Sequence, residues 1–84
     1  MMRVETFPIA KIYVPVKRRA TVEQAKVDTL AAAIEKDGQQ TPIMVRVDAE
    51  RDRFVLVEGL HRLEACKALG RDSIEGYRVD ARKH

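Results

Sequence analysis

The chain has 84 residues, 45% hydrophobic and 35% charged, with a formal net charge of +3. That length fits one domain, residues 1–84, and the mixture of apolar residues with both charge signs excludes a chain disordered throughout. A single cysteine, Cys66, excludes an intrachain disulfide framework, and no stretch approaches the roughly 20 apolar residues of a membrane span.

The isoelectric point near 9.3 favours anionic partners such as nucleotides or nucleic acid, although an ordinary basic surface would give the same balance. The N-terminus has no apolar run of signal-peptide length, so a cytoplasmic address is expected. Disorder is expected only at the ends, Met1 to Glu5 and Arg82 to His84.

The first element, Val4 to Val14, reads as extended, with Pro8 confining it to an edge or splitting it. Pro15 stops this run, and Lys17-Arg18-Arg19 reads as a short basic loop. Thr21 to Lys36 is the clearest helix: Thr21 and Gln24 match a capping box, and Val27, Leu30, Ala31 and Ile34 share one face. Gly38 supplies its stop. Ile43 to Val47 alternates and is rich in β-branched residues, as a strand requires. After a polar turn over Asp48 to Asp52, Phe54 to Val57 reads as a central strand, close enough to pair with the previous one as a hairpin. Leu60 to Leu69 is a second helix that Gly70 ends. Ile74 to Val79 is a last strand, placed to return parallel to Phe54–Val57. The order β–α–β–β–α–β predicts an α+β fold, a small mixed sheet with two main helices.

One junction could carry chemistry. The strand ending at Glu58 runs through Gly59 into a helix that opens Leu60-His61-Arg62. The first amides of a helix lack intrahelical acceptors and, with the helix dipole, favour an anion. Gly59 lets an oxygen approach the backbone closely, Arg62 offers a bidentate fork, and His61 adds a donor or, when protonated, a second cation. The same residues also fit a plain turn with a solvated His-Arg pair. Lys26 and Thr29 lie beside the apolar face of the first helix, either aimed at a phosphate or serving as a snorkelling lysine and a boundary threonine. The basic run 17–19 is a solvated loop or a nucleotide lid. Cys66 reads as a small buried hydrophobe, and no Cys/His spacing suggests zinc.

These segments resemble a known superfamily. Leu30 to Ile34, then Gly38-Gln39-Gln40-Thr41-Pro42-Ile43-Met44-Val45-Arg46, look like the first ParB box, and Phe54 to Leu69 resembles the second. Gly59-Leu60-His61-Arg62 is similar to the Gly-Cys-His-Arg motif of sulfiredoxins, as is the helix around Ala25-Lys26-Val27. The resemblance spans roughly Pro8 to Val79. It implies a ParB/sulfiredoxin-like fold that holds nucleotide phosphates, from CTP in ParB proteins and ATP in sulfiredoxins, with Mg²⁺. By position it assigns Gly59, Leu60, His61 and Arg62 to the phosphate motif, and Lys26 and Thr29 to flanking contacts. Glu58, beside the motif, could hold Mg²⁺ or act as a catalytic base, or it is a solvated strand-end carboxylate.

The departures set limits. Leu60 stands where sulfiredoxins have their nucleophile, so sulfinic-acid repair is expected to be absent. Leu60-His61 replaces the Glu-Arg of the ParB Gly-Glu-Arg-Arg box, and the sequence shows no helix-turn-helix beyond the shared region. The expected function is a nucleotide-binding module or regulatory switch. The alternatives are a nucleotide hydrolase or small-molecule kinase, or a DNA-associated partition-like or nuclease-like accessory protein with a protein partner.

Overall fold

Apolar and β-branched residues at alternate positions, broken by prolines and glycines, divide the chain into short strands and helices in the computed structural model, which describes residues 3–39 and 41–80. The first extended run splits at its proline. Strand β1 covers Val4–Pro8, a single 3-10 turn covers Ile9–Lys11, and β2 is the two-residue strand Ile12–Tyr13. Pro15 then caps the short helix α1, Val16–Arg19. The basic run 17–19 is therefore helical rather than a loop, and the Arg18 and Arg19 amides both donate to the Pro15 carbonyl, at 2.9 and 3.2 Å.

Helix α2 covers Gln24–Asp37. It starts later than the capping-box pattern predicts. The Thr21 hydroxyl donates to the carbonyl of Arg18 at 2.7 Å, finishing α1, and Glu23 becomes the N-cap of α2 without a side-chain cap. Strands β3, Ile43–Asp48, and β4, Arg53–Glu58, form the expected antiparallel hairpin around a turn at Ala49–Arg51. Helix α3, Leu60–Ala68, follows, and β5 is Ser73–Val79. Val4 and Glu5 lie in β1, so the expected disorder does not extend to them; Met1, Met2 and Arg82–His84 lie outside the described residues.

The five strands form one mixed sheet in the order β1-β5-β3-β4-β2. Strand β5 runs parallel to β3, not to β4. The edge of β4 away from β3 is occupied by β2, running parallel to it, so β5 takes the free edge of β3. This places β3, rather than β4, in the middle. Strand β1 closes the far edge antiparallel to β5, and its proline ends it there, where a missing N–H is tolerated. Ahead of β3, the Gln39 carboxamide imitates a strand residue. Its Nε2 donates to the Glu75 carbonyl and its Oε1 accepts from the Glu75 N–H, both at 2.8 Å.

Alternation and register put Phe7, Ile43, Val45, Leu56 and Ile74 on one face of the sheet. These pack with Val27 and Ile34 of α2 and with Leu60, Leu63, Ala65 and Cys66 of α3 into one core. Phe7 and Phe54 meet edge-to-face at 4.9 Å. Leu63 is fully buried, whereas Leu30 is only half-buried. The two leucines therefore differ in cost. Leu63→Ala should destabilise by about 2–5 kcal/mol and Leu30→Ala by about 1–2 kcal/mol, read as shifts of the urea midpoint.

Candidate functional site

The strand-to-helix turn after β4 is a local necessity of this sequence. Gly59 caps α3 with φ at +105°, a conformation that side chains with a Cβ rarely adopt. A Cβ there would also stand 2.6 Å from Cγ2 of Ile43, so the turn lies directly against the central strand. No side chain caps the helix. The first intrahelical bond is from the Leu63 N–H to the Gly59 carbonyl at 2.9 Å, which leaves the amides of Leu60, His61 and Arg62 as the unpaired first-turn donors.

A cleft of about 620 Å³ opens over this turn. One wall is Glu58 to Arg62; the other is α2, with Ala25, Lys26, Thr29 and Leu30; Arg18 and Thr21 close the end. All the residues singled out from the sequence therefore line one cavity: Glu58, Gly59, Leu60, His61, Arg62, Lys26 and Thr29. They come from two segments about thirty residues apart because α2 packs along α3.

Each side chain has a definite role in the unliganded arrangement. Arg62 is half-buried and makes no hydrogen bond or ion pair to another described residue, so its guanidinium is available to an anion. Lys26 pairs with Glu23 at 3.1 Å, an exposed i,i+3 contact that an incoming phosphate can replace. The Thr29 hydroxyl donates to the Ala25 carbonyl at 3.0 Å, so it faces a ligand as an acceptor. The His61 Nε2 accepts the Glu23 amide at 3.1 Å, which leaves Nδ1 as the ring's donor in this arrangement and ties the start of α3 to the start of α2. Leu60 is 5% exposed and belongs to the core, so it contributes its backbone amide rather than its side chain. Glu58 is exposed on the rim of the cleft.

Arg18 is the cleft residue that the sequence reading did not single out from its basic run. Its Nη1 donates to the carbonyl of Val57 at 2.8 Å, which fixes the guanidinium beside Glu58. Its neighbour Arg19 turns the other way and donates to Val14. Only the helical phase of α1 separates them. Cys66 is 1% exposed, and burial pushes its thiol up despite the nearby charges of Arg71 and Arg62, so it is not a nucleophile for this cleft. Among the described residues, no group of three His, Cys, Asp or Glu side chains could hold a metal ion, and no helix is long and apolar enough to cross a membrane.

The pattern of the ParB N-terminal domain family matches residues 1–83. No curated protein matches the chain in sequence. Among solved structures, sulfiredoxin from Arabidopsis thaliana is similar at 29% identity and a TM-score of 0.81, over 94% of this chain and 86% of that one. The chromosome-partitioning protein ParB from Caulobacter crescentus, C-terminally truncated and complexed with CTP-γ-S, is similar at 20% identity and a TM-score of 0.77, over 98% of this chain and 46% of that one. A free serine kinase in complex with ADP has a TM-score of 0.79 at 14% identity, over 90% of this chain and 30% of that one. This chain thus spans less than half of those last two proteins.

The Gly59 geometry gives a direct test. Gly59→Ala should cost at least about 1–3 kcal/mol from backbone strain alone, with a further loss from the clash with Ile43. Circular-dichroism melting should show a lowered Tm, whereas Gly70→Ala, whose added Cβ has nothing within 4 Å, should fall less.

Proposed function

The chain belongs to the ParB N-terminal domain family, and we propose that it binds a nucleoside triphosphate, ATP or CTP, with its phosphates on the Gly59–Arg62 turn. The observation that carries this reading is the convergence of three unpaired helix amides with Arg62, Lys26 and Arg18 on one cleft. Amides and guanidinium forks suit phosphate oxygens. The His61 Nδ1–H is a further donor that leaves the Glu23 bond intact. The apolar side of the cleft, Ala25 and Leu30, suits the flat, less charged end of a nucleotide. The CTP analogue on ParB and the ADP on the serine kinase support the ligand class as properties of similar folds.

Magnesium fits a limited role. Glu58 is the carboxylate on the cleft, so Mg²⁺ would be held by Glu58 together with the phosphates themselves, as is usual for this ion. The ion would shield phosphate charge. The residues of this chain bind and orient the phosphates. Glu58 is also the group on which phosphoryl transfer or hydrolysis would depend. We place the protein in the cytoplasm as a nucleotide-responsive module, with turnover as the second reading.

Calorimetry with ATP, CTP, GTP and ADP, each with Mg²⁺, tests the site. Arg62→Ala should weaken the preferred nucleotide about tenfold or more, as expected for losing a charge-assisted contact, with an unchanged Tm because Arg62 is not tied to other described residues. Equal affinity in wild type and Arg62→Ala would refute the assignment. Phosphate release in the same samples, lost in Glu58→Gln, would select the enzyme reading.

Repair chemistry should separate from binding. The position that resembles the sulfiredoxin nucleophile is the buried Leu60, whose hydrocarbon cannot take over a sulfur intermediate. With hyperoxidised peroxiredoxin, ATP, Mg²⁺ and a thiol, the wild type should give no repair above a no-protein control. Repair by the wild type would overturn this expectation.

A further inference from the structure

The sheet face turned away from α2 and α3 carries a second surface. Register and alternation place Tyr13 of β2, Arg53 of β4, Met44 and Arg46 of β3 and Tyr77 of β5 on it. All five are half-buried, and Val4, beside Tyr77, is 52% exposed. Val55 is buried on this side at 4% exposure and lies outside the main core, with Tyr13 and Arg46 as its cross-strand partners.

Charge and aromatic surface are interleaved here. The Arg53 guanidinium lies 3.9 Å from the centre of the Tyr13 ring, and Arg19 lies 5.3 Å from the same ring. Arg53 is fixed by donating to Asp48 at 3.0 Å, and Arg51 lies 3.5 Å from the same carboxylate. Burial acts to raise the Asp48 pKa, but these two arginines outweigh it and hold the group below the usual carboxylate range, so the acid is ionised and already neutralised. Arg46, between the two tyrosine-bearing strands, makes no hydrogen bond or ion pair to another described residue. Glu75, exposed on the same face beside Tyr77, and Asp48 are outnumbered by Arg46, Arg53 and Arg19, so the face presents an excess of arginine charge among half-buried ring and guanidinium planes.

That combination has a specific ligand chemistry. Unpaired bases stack on aromatic rings and guanidinium planes, while free cations neutralise the connecting phosphates. Tyr77 and Tyr13 are three strand spacings and two residues of register apart, about 16 Å, which leaves room for more than one splayed base. A duplex hides its base faces and would use only the charge. We propose that this open sheet face binds single-stranded nucleic acid, with Tyr77 and the Arg53–Tyr13 pair as stacking surfaces and Arg46 as a phosphate contact. The surface is separate from the cleft, so this inference stands apart from nucleotide binding.

Fluorescence anisotropy with labelled oligo(dT) and oligo(rU) at low salt tests it on the full chain, and the tighter of the two identifies DNA or RNA as the source. The expected result is saturable binding whose log affinity falls linearly with log salt. Arg46→Glu and Tyr77→Leu should each weaken it about tenfold at near-wild-type Tm, and Arg62→Ala should leave it unchanged. Because Arg46 is tied to no other described residue, its variant reports on binding even if Tyr77→Leu is unstable. No saturable binding, wild-type affinity in Arg46→Glu, or loss in Arg62→Ala would overturn the proposal. So would a duplex binding as tightly as the single strands, or capture by anionic vesicles without oligonucleotide binding.

Discussion

Ile43 is held between two glycines, and the rest of the molecule is arranged around that contact. It opens the central strand and is completely buried. Its Cγ2 fills the space where a Cβ on Gly59 would stand, and its Cγ1 does the same at Gly76, the residue facing it on β5. A bulkier residue at either glycine would push the α3 turn or the β5 strand away from β3. The close approach at Gly76 lets β5 join the centre of the sheet, and the close approach at Gly59 seats the free end of α3 beside it. The cleft is therefore positioned by core packing, although its lining is polar.

The second constraint is the fit of α2 against α3. Val27 and Ile34 bury one side of α2, which leaves Lys26 and Thr29 at the border, over the start of α3. Polar contacts then join the two helix starts: His61 accepts the Glu23 amide, and Glu23 in turn neutralises Lys26. The Glu23 amide would otherwise be an unpaired helix-start donor, so the histidine replaces the missing side-chain cap of α2. The same contact occupies the His61 Nε2, and Arg62, Lys26 and Arg18 bring fixed positive charge to the cleft. The donors at the cleft are thus first-turn backbone amides, the Arg62 guanidinium, the remaining N–H groups of Arg18 and the Lys26 ammonium, a set whose chemistry suits phosphate oxygens.

The two faces of the sheet divide the chemistry. The covered face is apolar through its centre, and at its end Arg78 lies over Phe7 and Phe54 while pairing with Glu5. The open face buries Val55 between its cross-strand partners Tyr13 and Arg46, and carries half-buried arginine and tyrosine side chains around it. This arrangement makes an uncovered sheet face tolerable without a covering element, and it also makes the face chemically distinctive.

The amino-acid sequence by itself determined the elements that depend on neighbours in the chain. Alternation over Ile43 to Val47, the apolar spacing from Val27 to Ile34, and the strand–Gly59–helix junction each reflect local backbone geometry, and all three stand in the structure. The candidate site was legible to the same extent, because Gly59 and the following His-Arg pair lie in one short segment and Lys26 and Thr29 lie beside the apolar face of one helix, and the family resemblance linked the two groups. Tertiary structure decided what depends on residues far apart. It gave Thr21, where the pattern suggested that α2 began, to the turn that follows α1, because that hydroxyl finds the Arg18 carbonyl. It chose β3 over β4 as the partner of β5, because β2 covers the other edge and Gly76 fits Ile43. It selected Arg18 from three consecutive basic residues, because only that one reaches the Val57 carbonyl. Which donor meets which acceptor across the fold is set by packing, and no local pattern encodes it.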